Sequence, residues 1–474
     1  MAQLIVVNST SVLAALVVVY GAALAFYRLN LHPLAEFPGP TLSIISYWYE
    51  FYFEIERLHD ISGPIIRINP DELHIKDADF FNILYSSSGG EQRNKYARHQ
   101  NANESPGSVA STGPADLHRL KQSALNPFFS KASITRLEPL IQEKVELLCN
   151  GLRNLMERKE IVYVGAAYYS LSLDVISDYS FGTSWHCLDT PGFATEWEKT
   201  IISVLESTPL SKQLPWINLL IQRLPAAWRK RLTPDIGVLI ATKQKIGKQI
   251  SHIKNSLALV DSLPPLEKEL RRVIDEAFVL LISGTDTTVH ALAIATYHLL
   301  ANPSILFTLK EELKVAIPDP SSPPSWRELE QLPYLRAVIS ETLRIGAVAT
   351  IRIATQAPST PTNYKDWIIP AGTPVAMNTR SILHDRQIFP EPEKFQPERL
   401  DKYLVAFSKG SRACLGLNLA YAEMYLALAN VMRRFEMVLD DVVRERDVDI
   451  VRDCIIGLPS KGSKGVTVRI LREN

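Results

Sequence analysis

The residue types best suited to chemistry gather in ten positions near the C-terminal end, Phe407 to Gly416 (FSKGSRACLG), around one cysteine. Glycines at 410 and 416 remove side chains where backbone must come close to a flat macrocycle, and leave N–H groups able to point at sulfur. Arg412 offers a planar two-pronged donor of the kind that pairs with a propionate. The residues that follow, Leu415 to Phe435, are good helix formers, so Cys414 falls at a helix N-terminus, where the macrodipole favours thiolate over thiol. A thiolate in that setting suits an axial ligand of haem iron. A lone cysteine is more often a small buried hydrophobe, and it is the whole pattern that argues for the ligand.

A second cluster interrupts an apolar stretch. Leu266 to Asn302 reads as one long helix, entered from Pro264-Pro265 and stopped by Pro303. After Glu276 its one acid or base, histidines aside, is Asp286, which lies in the run Ser283-Gly284-Thr285-Asp286-Thr287-Thr288. A buried acid and hydroxyls need a partner or a task. Delivering protons into a dry site calls for such an acid–alcohol pair; the other reading is a kink at which Ser and Thr bond back to the helix.

The two segments resemble the haem-binding signature (Phe-x-x-Gly-x-Arg-x-Cys-x-Gly) and the oxygen-activating motif of the cytochrome P-450 family, with Ser283 where the family has a smaller residue. The resemblance implies haem b, its iron axially ligated by the Cys414 thiolate and framed by Phe407, Gly410, Arg412 and Gly416. It further implies that Gly284 opens a groove beside the iron, that Thr287 helps hold bound oxygen and its water, and that Asp286 connects the proton path. Two weaker fragments follow the family's order: Glu341-x-x-Arg344, in a helix begun at Pro333, and Phe395-Gln396-Pro397-Glu398-Arg399. Alone, a Glu-x-x-Arg pair is common on solvated helices; by resemblance Glu341, Arg344 and Arg399 form a buried network that locks the cysteine loop. The same likeness assigns the haem propionates to Arg412, Arg352 and His118, although His118 read by itself also fits a satisfied surface histidine. The arginine usual four residues after His118 is here Gln122, beside Lys121. HRLKQSALNPFFS, YKDWIIPAGTPVAMN and YLVAFSKGSRACLGLNLAYAEMYLALA look most like fungal secondary-metabolite members of the trichodiene-oxygenase type. Two links look shorter than in such relatives: that between residues 253–255 and Pro264-Pro265, and that from Arg399 to Tyr403.

These residues need a large scaffold. Hydrophobic residues at 46% and charged residues at 22% support a sizeable core. Fifty-one Lys and Arg balance 51 Asp and Glu, which argues against a nucleic-acid partner. Cys149, Cys187, Cys414 and Cys454 form no CxxC pair or disulfide framework. The first 27 residues carry no charged side chain, and Leu4 to Phe26 is apolar enough and long enough to cross a bilayer. An anchor fits better than a cleaved signal peptide, whose basic n-region is missing though Ala23-Leu24-Ala25 resembles a cleavage site. Arg28 and His32 behind the span place the body in the cytosol, on the endoplasmic reticulum as a single-pass protein. The expected organisation is an anchor at 1–27, a proline-rich hinge at 28–40 and a haem-thiolate domain at 41–474. The fold class is mainly α with a minor β region, a cytochrome P-450 fold behind one transmembrane helix. A β-hairpin is expected over Gly63–Asp77, a loop over Ser86–Asp116, helices from Leu117 to Asn302, and a second β region over Tyr364–Val375.

The activity so implied is insertion of one oxygen atom of O2 into an apolar small molecule, a terpenoid or other secondary-metabolite scaffold. Electrons would come from NADPH through a separate NADPH–cytochrome reductase, because no GxGxxG opens a βαβ unit, and membrane lipid is a further partner. Two alternatives stay open: a reductase-independent haem-thiolate isomerase or dehydratase, against which Asp286 and Thr287 argue, and a non-catalytic haem-binding relative. Specificity is expected in the Ser86–Asp116 loop, in the helices from Phe193 to Ile240 and after Ile345.

Overall fold

The computed structural model describes residues 2–52, 55–85, 92–100, 105–193, 196–214, Trp216, Leu220, 223–225, Trp228, 234–253, 268–399 and 403–474. Both shortened links of the sequence reading lie outside the described residues.

Helices dominate. They include α1 (Ala2–Phe26), α2 (Ala115–Leu125), α3 (Lys131–Glu157), α4 (Val164–Phe181), α5 (Glu196–Gln213), α6 (Leu270–Ala301), α7 (Pro333–Gly346) and α8 (Leu417–Arg434). Their ends follow local chemistry: the Ser130 hydroxyl caps α3, Pro333 opens α7, and Gly182, at φ +63°, ends α4 in the left-handed conformation that glycine adopts freely. The middle of the molecule is α6, packed on α4, α7 and α8 around one apolar core. From Thr10 to Leu31 none of the apolar span is buried, whereas α6, longer and less apolar, is more than half enclosed. Exposed Leu13, Leu16 and Val17 on α1 therefore need a non-aqueous environment that the body does not provide.

The β part is a five-stranded sheet of β1 (Ile65–Arg67), β2 (Leu73–Ile75), β3 (Asn94–Lys95), β4 (Thr355–Gln356) and β5 (Val375–Ala376), in the order β1-β2-β5-β4-β3. The β2–β5 pair is parallel and the others antiparallel. The expected hairpin appears over β1–β2; in the second expected β region the hairpin lies earlier, over Thr362–Ile369, and β5 joins the larger sheet instead. The stretch read as one loop, 86–116, instead holds β3, the helical turn Ala97–Gln100 and the start of α2, while 86–91 and 101–104 lie outside the described residues. Its polar composition concealed elements that long-range pairing holds together.

The segment expected as a hinge starts as a wider helical turn over Tyr27–Leu31, turns again over 33–36, and meets β1 where Arg67 N donates to the Pro38 carbonyl at 2.7 Å. Arg67 is wholly buried and its guanidinium donates to the carbonyls of Arg28 (2.8 Å), Leu34 (3.2 Å) and Pro70 (2.7 Å). A Cβ at Gly39 would lie 2.5 Å from the Arg67 carbonyl oxygen, so this close approach requires glycine. The prolines supply stiffness, and Arg67 ties the segment to the sheet.

Glu423, on the buried face of α8, accepts from the Ser172 hydroxyl of α4 at 2.5 Å and has no partner on its other oxygen. Burial pushes its carboxyl up to about 8, against a smaller lowering by Ser172. The folded state thus holds a proton that the unfolded chain releases above about pH 4.5, and this contribution to stability is lost as pH rises towards about 8, at roughly 1.4 kcal/mol per pH unit when fully coupled. Thermal unfolding at about pH 5 and about pH 8 should show Glu423→Gln gaining on the wild type at the higher pH; parallel curves would contradict this.

Candidate haem-thiolate site

Cys414 lies on a tight loop just before α8. Ser408 and Gly410 take positive φ (57° and 71°), a short helical turn spans Gly410–Arg412, and Cys414 N donates to the Phe407 carbonyl at 2.9 Å. The turn alone accounts for glycine at 410. At Gly416, the N-cap of α8, a Cβ would meet nothing within 4 Å, which leaves open space beside the sulfur. The Phe407 ring packs on Tyr421 of α8 at 5.2 Å and holds the loop to the helix. Cys414 is the one free cysteine classed as exposed, yet protein encloses it: its exposure is to a cavity, not to the outer surface. Burial pushes the thiol up, and a hydrogen bond from the Gly416 N–H partly offsets this. Such a sulfur becomes a stable thiolate only beside a cation, which a bound metal supplies.

The cavity has about 960 Å³ of empty space, part of it open to solvent. Its walls are mostly apolar, among them Phe81, Leu343, Val348, Ile351, Ile353 and Met377, with Thr287 from α6 and Cys414 and Arg412 from the loop. After Ile345 the chain supplies walls, as expected. Ala347 takes a left-handed φ of +37° at the end of α7, and Val348 and Ala349 beyond it line the cavity. Among the described residues, none from 92–116 or 196–240 lines it.

Arg412, in the cavity wall, belongs to a group of cationic side chains held by backbone carbonyls. Arg412 donates to the carbonyls of Thr112 (2.8 Å) and Gly113 (2.7 Å), Lys95 to Ala110 (2.9 Å) and Lys121 to Gly107 (3.0 Å). Buried His118 is depressed to about 4 by burial and then by Arg412, Lys95 and Lys121. Burial and Arg412 bring Lys95 down to about 8, and burial brings Arg412 to about 10. These are the shifts of cations that want an anion, and with the space around Cys414 they fit haem with its propionates. Of these four, the sequence reading names Arg412 and His118 as propionate partners. It missed Lys95, in a strand read as loop, and it noticed Lys121 but gave it no role.

Arg352 is a correction. Its guanidinium is buried against Glu50 and Glu72, with Nε 2.8 Å from Glu72 Oε1. Burial opposes its charge, but the two carboxylates outweigh burial and hold the charge firmly. Ile351 and Ile353 line the cavity while Arg352 does not, as alternation along extended backbone requires. With its fork occupied on the far side, Arg352 does not serve a propionate.

The structure brings Glu341, Arg344 and Arg399 together. Arg344 donates to Glu341 through Nε (2.7 Å) and Nη2 (2.9 Å), and to the carbonyls of Leu383 (2.8 Å) and Pro392 (2.7 Å). Arg399 Nε lies 3.4 Å from Glu341 Oε1, an ion pair without hydrogen-bond alignment, while its Nη atoms donate to the carbonyls of Pro390 and Glu391.

On α6, Thr287 faces the cavity and its hydroxyl donates to the Ser283 carbonyl at 2.8 Å, leaving its oxygen free to accept. Asp286, one residue away, does not line the cavity; it is buried behind α6, and no hydrogen bond of good geometry reaches either carboxyl oxygen. Burial, then nearby Glu198, raises its carboxyl well above the usual range, against a smaller lowering by Tyr169. Its surroundings thus favour the protonated form. Gly284 is a second correction: a Cβ there would meet Ile176 Cγ1 of α4 at 3.1 Å, so its glycine serves helix packing and not a groove beside the iron.

The Cytochrome P-450 family profile matches residues 51–464, and the chain belongs to that family. A cytochrome P-450 monooxygenase of Ascocoryne sarcoides is 38% identical over 97% of this chain and 98% of its own length. The cytochrome P-450 monooxygenase TRI4 of Fusarium sporotrichioides is 34% identical over 95% and 93%, and the N-acetyltryptophan 6-hydroxylase of Emericella nidulans 35% over 97% and 97%. The protein is thus a haem-thiolate monooxygenase similar to fungal secondary-metabolite enzymes; its cofactor is haem with a cysteine-thiolate ligand, and it works on a small molecule with O2 and a redox-partner reductase. The isomerase, dehydratase and non-catalytic readings are not favoured.

Proposed function

We propose that Cys414 holds the haem iron, that Arg412, His118, Lys95 and Lys121 receive the propionates, and that an apolar terpenoid or indole-type scaffold binds against the wall of Val348, Ile351, Ile353 and Met377. The observation that carries this reading is one apolar cavity lined by both the Cys414 sulfur and the Thr287 hydroxyl, with the cationic group at its side. Indole joins terpenoid because a relative is named as an N-acetyltryptophan hydroxylase. When bound, haem supplies reductive activation of O2 and insertion of one oxygen atom into the substrate. The chain's own residues do the rest: the apolar wall orients substrate and excludes water, Thr287 accepts and passes a proton at its hydroxyl, and protonated Asp286 behind it replenishes that proton. Glu341, Arg344 and Arg399 lock the segment that leads into the cysteine loop. Residues 1–27 anchor the protein in the endoplasmic reticulum membrane, against lipid, 28–40 form the stiff link, and 41–474 work in the cytosol.

The test is turnover by the full chain in microsomes with NADPH–cytochrome reductase, offered terpene and indole scaffolds. Reductase-dependent oxygen uptake and a product heavier by one oxygen are expected; product without reductase would overturn the reading. In the same assay Thr287→Ala should keep its haem yet divert electrons to peroxide, and Asp286→Asn should slow turnover by about 10²-fold. If both variants match the wild type in rate and in product per NADPH, residues 283–288 form only a structural kink.

A further inference from the structure

Behind α6, polar groups from three elements converge without partners. Asp286 is 1% exposed and Tyr169 of α4 is 1% exposed, and neither the carboxyl oxygens nor the phenol oxygen closes a hydrogen bond; Trp197 Nε1 of α5 is likewise buried and unsatisfied. The Tyr169 hydroxyl approaches the Asp286 carboxyl, and Trp197 Nε1 approaches the Tyr169 hydroxyl, without alignment. Glu198, next to Trp197 on α5, is partly exposed. Its Oε1 would lie 3.0 Å from a Cβ on Gly165, and Gly165 sits four residues before Tyr169, on the same face of α4. Three orphaned polar groups packed together in a core call for bridging water. The row begins near solvent at Glu198 and ends at the acid that backs Thr287.

We propose that Glu198 and Tyr169, with water between them, form a proton relay from the α5 surface to Asp286. Glu198 is the intake and Tyr169 the hand-over; both are positioning residues, since neither touches substrate or haem. A relay needs an outer acid that exchanges protons freely near neutral pH, and burial holds the Glu198 carboxyl at about 7, against a smaller lowering by Lys199. Cys187 also faces Tyr169, too weakly acidic itself, at about 12, to compete for the proton. The proposal rests on the reading of Asp286 as part of the proton path.

The experiment is infrared spectroscopy of the full chain during transfer into deuterated water, following the protonated-carboxyl band that Asp286→Asn removes. In the wild type that band should shift quickly. Glu198→Gln and Tyr169→Phe should slow its exchange roughly 10-fold, with the haem spectrum unchanged. The holoenzyme with reductase and NADPH, no organic substrate added, should then show a larger solvent isotope effect on NADPH oxidation in both variants. Unaltered exchange and isotope effect in both, with Asp286→Asn still slowing turnover, would overturn the relay and leave the role of Asp286 standing. Absence of an Asp286-dependent band, or wild-type turnover in Asp286→Asn, would overturn both.

Discussion

Cys414→Ala should abolish monooxygenation outright while leaving a folded protein that still takes up some haem. The expectation follows from how the site is built. The cationic side chains of Arg412, Lys95 and Lys121, beside His118, are held by backbone carbonyls of residues 107–113, independently of the sulfur, and continue to offer an anion site. The loop is likewise fixed without the sulfur, by the Cys414 N to Phe407 carbonyl bond and by Phe407 on Tyr421. What disappears is the electron-rich axial ligand that favours O–O cleavage. Product formation in the reductase-coupled assay should fall to background, and haem recovered per protein should fall less. An Ala variant that still forms product would show that another ligand serves.

Arg344→Ala should be nearly as damaging, through the fold. Arg344 and Glu341 are almost fully buried, and removing the guanidinium strands a carboxylate whose remaining contacts are the Gln396 N–H and Arg399. Breaking such a pair costs about 3–5 kcal/mol, a large share of the ~5–15 kcal/mol that holds a typical domain together. The carbonyls of Leu383 and Pro392 lose their donor as well. Arg344→Lys should rescue little, because an ammonium cannot span two carboxylate oxygens and two carbonyls as the planar fork does. Haem content per protein and the unfolding midpoint are the readouts; wild-type values for both in Arg344→Ala would contradict the role.

The sequence made the chemistry at Cys414 legible because its parts are contiguous: glycines, arginine and helix start all fall within ten residues. Glu341, Arg344 and Arg399 were legible by resemblance, since the spacing alone describes any solvated helix. Arg352 misled because spacing does not say which side of an extended segment a residue takes, and Ile351 and Ile353 took the cavity side. Gly284 misled for a related reason. A glycine beside a reactive motif also serves where two helices touch, and Ile176, more than a hundred residues earlier, decided the matter. Lys95, Tyr169 and Glu198 carry no local signal. Their significance arises from long-range packing, of β3 on β4 for Lys95 and of α4 and α5 behind α6 for the other two.

The claim at the centre of this account is that Cys414, alone among four cysteines, binds haem iron as a thiolate. The ferrous–carbon monoxide difference spectrum of the purified full chain, recorded beside that of Cys414→Ala, tests it most directly. The account predicts the thiolate-type band in the wild type and its complete loss in the variant. A normal thiolate band in Cys414→Ala, or a wild-type spectrum of the imidazole type, would contradict it.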